Sequence, residues 1–294
     1  MQQMQEGVRM AGLRDIKLRI KSVTSTQQIT KAMNLISTVK LKKARDRMES
    51  AIPYKEALDG IFHDIISGYT AEFGGALQSI YTRKRNSNKV LYIVISSDKG
   101  LCGSYNTSII KKAVSIMDGM DSQIITIGVK ASSFFSKRGY KIVSTFDNFM
   151  EKADIQDIDE ITKILLDKYN TGEVEEVVLL YTEFISSMEF NTTYERLLPI
   201  EIVQKSHNDY RYGFEPSPDV VLNNIMPRYI SGWLSFAFAN SFASEQSSRM
   251  VAMSAATENA SKMIDDLTLH YNRARQASIT NEISEIVGGT EALK

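Results

Sequence analysis

Apolar residues near the start of the chain fall at Leu13, Ile16, Ile20 and Val23, a 3-4-3 spacing that gathers them on one helix face. Further on, Ala44, Ala51, Leu58 and Ile65 recur every seventh residue, with Met48 and Phe62 between them, so the period drifts toward a heptad seam. The pattern predicts one helix over about Ala11–Tyr69, roughly 90 Å long at 1.5 Å per residue. Pro53 interrupts it. An interior proline removes a backbone donor and bends a helix, but the apolar period resumes in phase, so a bend is expected there rather than a stop.

The far end reads the same way. Ala256, Ala260, Met263, Leu267, Tyr271 and Ala274 mark one face of a helix over about Asp219–Val287, roughly 100 Å long. Pro216, Pro218 and Pro227 are expected to mark its start and Gly288-Gly289 its end. Ala252, Ala255, Ala256 and Ala260 give this seam small residues, which allow close approach of a second helix.

Between the helices the period changes. Lys89–Ser97, Gln123–Gly128 and Glu176–Tyr181 are short β-rich apolar runs, and helical patterns lie at about 105–118, 130–138 and 157–169. Thr192–Val203 adds a strand expected to be antiparallel. Strands alternating with helices indicate a Rossmann-like α/β unit with a mostly parallel sheet. Neither terminal helix can bury its stripe alone, so the expected fold is an α/β domain plus a long antiparallel coiled coil made by the two ends. The boundaries expected on this reading are 1–10 as an unmatched extension, 11–70 and 216–290 as coiled-coil helices, and 88–205 as the α/β domain.

Composition narrows the function classes. Lysine plus arginine and aspartate plus glutamate are each 35, so the chain is formally neutral and nothing global points to nucleic acid. No apolar run reaches the roughly 18 residues of a membrane span. The N-terminus MQQMQEGVRM has no apolar core of a secretory signal. Cys102 is the sole cysteine, which removes an internal disulfide and argues against a cysteine metal site.

Four segments invite a chemical reading. Ser97–Ser104 (SDKGLCGS) follows a strand and opens a helix, where glycines can cradle a phosphate. It matches neither nucleotide fingerprint, because Lys99 precedes the glycines, and it reads as a tight turn. Cys102 could pair with a histidine, yet His63, His207 and His270 fall in three different regions, so a small half-buried thiol is expected. Residues 11–50 carry ten lysines and arginines against three acids, among them Lys40, Lys42, Lys43, Arg45 and Arg47. The charges ring the helix without interleaved aromatics, which fits a solvated face or an acidic protein partner better than nucleic acid. Finally, Gln27 and Thr30 interrupt the N-terminal seam, and Arg275–Glu282 is polar where a plain coiled coil is apolar; a frayed tip and a functional surface are equally open on spacing alone.

The segments themselves resemble one family. Thr26–Met33 (TQQITKAM) with Lys40-Leu41, Ser96–Gly103 (SSDKGLCG), Ser244–Met253 with Ala256–Asn259, and Arg275–Val287 (RQASITNEISEIV) are similar, in order, to the signatures of F-type ATP synthase γ subunits of bacterial type. The resemblance covers about residues 10–293. Thr290 stands where the family has alanine or serine, and the first nine residues have no counterpart, which places the expected natural start at Met10. The paired regulatory cysteines of chloroplast relatives are absent.

That resemblance implies a non-catalytic rotating shaft without a cofactor, inside a ring of three α and three β subunits, its foot on ε and the c-ring. It implies a membrane association only through the complex, at the cytoplasmic face of a bacterial membrane. Matching the motifs residue by residue, Lys31, Met33, Arg249, Arg275, Gln276, Thr280 and Glu282 are expected to contact α3β3. Asp98, Lys99, Tyr210, Tyr212 and Glu215 are expected in the foot. Without the resemblance, a coiled-coil scaffold or an enzyme binding nucleotide at the Lys99–Ser104 loop would also fit the spacing; ATP binding by the isolated chain would separate them.

Overall fold

A computed structural model describes residues 2–73, 79–82, 89–151, 155–200, 215 and 217–291. Two long helices bracket an α/β region: the elements run α1 (Gln2–Phe73), β1 (Lys89–Ile95), α2 (Tyr105–Met117), β2 (Asp121–Ile127), α3 (Val129–Lys137), β3 (Lys141–Phe146), α4 (Ile155–Asn170), β4 (Glu176–Phe184), β5 (Phe190–Leu198) and α5 (Pro218–Glu291).

 The two long helices are thus α1 and α5, of 72 and 74 residues.

Two compact units divide the chain: one holds Met1–Ile36 with Met250–Lys294, the other Ser37–Arg249. The division falls inside both long helices rather than at their ends, so each helix contributes to both units. This differs from the boundaries expected from the pattern, which follow whole elements.

In the larger unit the strands order as β3-β2-β1-β4-β5. All neighbours are parallel except β5, which runs antiparallel to β4. Val90, Tyr92, Val94, Ile124, Val178 and Leu180 form one face of the sheet, packed with Ile109, Ala113 and Met117 of α2 and Ala131 and Phe135 of α3. Leu91, Ile93, Ile95, Ile125 and Leu179 alternate with them and are fully buried too. Strands covered on both faces read as continuous apolar runs, which is why β1, β2 and β4 were visible as such. Phe236 of α5 meets Tyr181 of β4 at 6.0 Å between ring centroids, so α5 helps cover the second face.

β3 has no counterpart in the expected elements. It is a half-exposed edge strand, and three of its six residues KIVSTF are polar or charged, so it is too short and mixed to stand out by period. β5 ends at Leu198, and positions 201–203 of its expected span lie outside the described residues.

α1 continues through Pro53. The proline lies on an exposed face, so the Glu49 carbonyl that loses its donor can turn to water. The burial pattern keeps a 3-4 alternation from Leu13 through Thr30, Ser37, Leu41 and Ala44 to Leu58, Phe62 and Ile65 without a phase slip. α5 departs from expectation at three points. Pro227 lies inside the helix instead of marking its start, while Pro218 takes the first position, where a missing donor is harmless. Gly288 and Gly289 lie within the helix, which runs to Glu291; each glycine weakens a helix by only about 1 kcal/mol. Met263, expected on the seam, is 53% exposed, and the half-buried Ile264 takes that place.

In the larger unit α5 approaches α1 closely at Gly232. A Cβ there would lie 2.4 Å from Leu58 Cδ1, and Leu58 is itself buried. Gly232→Ala should therefore cost a net ~1–2 kcal/mol in urea unfolding, since overpacking outweighs the gain in helix propensity. An unchanged or raised midpoint would show that Leu58 has room to turn away.

In the smaller unit, Thr257 Oγ1 donates to Thr30 Oγ1 at 2.8 Å, and Asn34 Nδ2 donates to the Met250 carbonyl at 2.9 Å. The higher-numbered residue of α1 meets the lower-numbered residue of α5, so the two stretches run in opposite directions here. Thr30 is buried, so a polar interruption of the seam is satisfied by a partner across it.

Candidate functional site

The loop after β1 is held from within. Ser96 Oγ donates to the Ile127 carbonyl and accepts from Ala131 N, tying β1 to the start of α3. Gly128, at the tip of β2, has φ +88°, and a Cβ would lie 2.3 Å from the Ser96 carbonyl oxygen. Asp98 Oδ1 accepts from Val129 N at 3.3 Å and Asn148 N at 2.7 Å, capping α3 from a distant position. Ser97, Asn106 and Cys102 form a closed cluster: Ser97 N and Oγ both donate to Asn106 Oδ1, and Asn106 Nδ2 donates to Cys102 Sγ at 3.1 Å.

Cys102 is 2% exposed, a fully buried thiol rather than the half-buried one expected. Its hydrogen-bond partners are Ser97, Asn106 and the Lys99 carbonyl, with no histidine among them. His63 is half-buried on α1, His270 is exposed on α5, and His207 lies outside the described residues. Among the described residues no group of three or more His, Cys, Asp or Glu could hold a metal ion.

The loop's carbonyls point to α5. Ser248 Oγ donates to the Cys102 carbonyl at 2.6 Å, and Arg249 donates to the carbonyls of Lys99 at 3.2 Å and Gly100 at 3.3 Å. Arg249 also pairs with Glu245 at 2.6 Å. Both side chains are buried, at 9% and 6% exposure. Burial raises the Glu245 carboxyl above its ordinary value, and the Arg249 guanidinium opposes the rise. Arg249, expected among the α3β3 contacts, is thus spent inside the chain, and its place in the fold is that of an internal clamp. The turn that invited a phosphate reading is filled by the same clamp.

The rest of this stretch of α5 behaves alike. Residues 240–249 are buried on every side, although eight of the ten are polar or charged: Asn240, Ser241, Ser244, Glu245, Gln246, Ser247, Ser248 and Arg249. Thr182 N donates to Ser241 Oγ and Phe184 N to Asn240 Oδ1, while Ser244 and Ser247 donate to the carbonyls of Thr182 and Ser187. Sequence reasoning placed this stretch in a family motif but gave it no structural task. Nothing in the order of its polar residues marks the stretch as buried.

The basic run of α1 is partly used internally as well. Lys40 pairs with Glu151 at 2.6 Å, Arg47 donates to the Glu151 carbonyl, and Arg45 lies over the Phe184 ring at 5.9 Å.

The other expected contact residues lie mostly at the surface. Lys31, Arg275, Gln276, Thr280 and Glu282 are exposed, and Met33 is half-buried. Of the expected foot residues, Lys99 and Glu215 are exposed, Asp98 is half-buried in its capping role, and Tyr210 and Tyr212 lie outside the described residues. Sequence reasoning missed a further surface. In the smaller unit Leu18, Ile29, Leu35 and Ile36 on α1 are 55–61% exposed, and Ile279, Ile283, Ile286 and Val287 on α5 are 47–67% exposed. The last four follow helical spacing, so they form an apolar stripe off the seam, the mark of a helix that meets something beyond its own partner. No helix among the described residues is long and apolar enough to cross a membrane.

Comparison with known proteins agrees in extent and kind. A family model described as ATP synthase matches residues 12–293. The ATP synthase gamma chain of Alkaliphilus metalliredigens is 43% identical over 291 residues, covering 96% of this chain and 99% of that one. That of Clostridium kluyveri is 41% identical over 286 residues, covering 97% and 99%. Among solved structures, a chain of the Euglena gracilis mitochondrial ATP synthase (OSCP/F1/c-ring, rotational state 3) superposes with a TM-score of 0.72 at 18% identity, covering 96% and 95%. A chain of the Tetrahymena thermophila mitochondrial ATP synthase central stalk and c-ring gives 0.62 at 23%, covering 78% and 99%. With a sheet bracketed by two long helices, a family model matched over residues 12–293 and relatives matched from end to end, the chain belongs to the ATP synthase gamma-chain family.

Proposed function

We propose that this chain is the central rotor shaft of an F-type ATP synthase, carrying torque between the membrane c-ring and the catalytic α3β3 ring. It is a non-catalytic subunit, and ATP chemistry takes place on partner β subunits. Proton or sodium flow turns the ring, and the asymmetric shaft drives each β site through its states in turn. The chain meets the membrane only through the complex, as a peripheral component at the cytoplasmic face.

The observation that carries this reading is the apolar stripe left outside the seam at Leu18, Ile29, Ile279, Ile283 and Ile286. A lone hairpin would have no use for it, whereas a shaft in a close-fitting sleeve has apolar neighbours on several sides. On this reading α1 and α5 pair as an antiparallel coiled coil, supported by the Thr30–Thr257 and Asn34–Met250 contacts. Lys31, Met33, Arg275, Gln276, Thr280 and Glu282 serve as replaceable contacts with α3β3, each strong enough to hold for part of a turn and weak enough to release. Asp98, Lys99, Tyr210, Tyr212 and Glu215 belong to the foot near ε and the c-ring.

Gln276→Leu should reduce coupled ATP synthesis several-fold while leaving thermal unfolding within about 0.5 kcal/mol of the unsubstituted chain, as befits an exposed position. Equal losses of activity and stability would remove Gln276 from the contact set. The reading as a whole is tested by assembling the chain with α and β subunits, tethering the ring and adding ATP. Unidirectional turning of the chain is expected, and a complex that hydrolyses ATP without turning it would overturn the reading.

A further inference from the structure

The polar stretch of α5 poses a physical question that packing alone does not answer. Apolar contact is non-directional, so a helix held only by apolar neighbours can roll about its axis at small cost. Hydrogen bonds require alignment and resist such a roll. Between Asn240 and Arg249, α5 makes hydrogen bonds to three separated parts of the chain. Asn240, Ser241 and Ser244 reach the backbone of β4 at Thr182 and Phe184. Ser247 reaches the turn after β4 at Ser187. Ser248 and Arg249 reach the loop after β1 at Lys99, Gly100 and Cys102.

At 3.6 residues per turn these side chains span about 200° of the helix circumference. Their partners are backbone groups of a strand, a turn and the loop after β1, which cannot follow a rotating helix as flexible side chains can. Rolling α5 by a single residue would break all of them together and leave buried polar groups unpaired.

We infer that residues 240–249 form a torsional lock, a polar collar that fixes α5 against the α/β domain so that torque passes between them without slip. The inference rests on the shaft reading and names its positioning residues, of which Ser247 and Ser248 are the most direct. Both are buried within the chain itself.

The test uses the full chain assembled with its α and β partners. A probe is attached through Lys111→Cys on the exposed face of α2, and its thermal angular fluctuation is recorded in the stalled complex, which needs no rotation. In the Ser247→Ala/Ser248→Ala variant the angular variance should at least double. The melting temperature and hydrolysis alone report whether the fold survives, and a merely structural role would leave the variance unchanged. Unchanged variance in a folded, assembled variant overturns the lock. If the double variant does not assemble, Ser247→Ala alone is read by the same criterion. Failure of the unsubstituted complex to turn would instead sink the shaft reading, while the stalled measurement still decides whether the collar grips.

Discussion

Arg249→Met should lower the unfolding free energy by about 3–5 kcal/mol, the usual consequence of leaving a buried charge without its partner. The substitution keeps most of the side-chain volume, so a cavity does not explain the loss. It strips Glu245 of its ion pair at 2.6 Å and the carbonyls of Lys99 and Gly100 of their donor. The double substitution Glu245→Leu/Arg249→Met should recover much of the difference, because two apolar groups are cheaper to bury than one orphaned carboxylate. Chemical denaturation of the three chains decides the matter, and equal loss in single and double variants would show that the backbone contacts, not the charge, hold the clamp.

The single variant should also acquire a pH dependence. Burial already raises the Glu245 carboxyl, and removing the guanidinium takes away the largest influence that lowers it. With the native value above the unfolded one, the native state binds more protons in the window between them. Stability then falls as pH rises through that window and returns as pH drops toward the ordinary carboxylate value of 4.5. The Arg249→Met deficit should therefore shrink on mild acidification relative to the unsubstituted chain. A deficit constant from neutral pH down to that value would mean that Glu245 finds another cation.

Gly128→Ala is the second large effect, expected at roughly 3–5 kcal/mol from a strained φ together with a clash that cannot relax cheaply. Gly128 combines φ +88° with a predicted Cβ position 2.3 Å from the Ser96 carbonyl oxygen and 2.8 Å from its carbon. Both are backbone atoms of the residue that links β1 to α3, and β1 is the central strand of the sheet. Thermal unfolding of the alanine variant measures it. A melting point within a degree or two of the parent would mean that the β2–α3 turn can shift as a body.

The reach of the sequence reading follows from what each element buries. β1, β2 and β4 were legible because strands covered on both faces become unbroken apolar runs, and α1 was legible because its seam never slips phase. β3 was not, since an edge strand half open to water keeps no clear pattern. Met263 and Ile264 are neighbours of similar apolar character, and only the true phase of the seam distinguishes them. The collar was beyond reach for a different reason. Asn, Ser, Glu, Gln and Arg ordinarily signal a wet face, and nothing in their order reveals that backbone groups 56 to 150 positions away will meet them. The family motifs located Arg249 while pointing it outward; geometry turned it inward.

The exposed stripe of Ile279, Ile283, Ile286 and Val287 has a bearing on the chain's life before assembly. Apolar surface that is dry in a finished machine is wet in a newly made part. A free copy is then a sticky solute, prone to bind other copies through the same side chains. On the shaft reading its production has to keep step with that of the enclosing ring, and a surplus of this one component is expected to be lost as aggregate rather than stored.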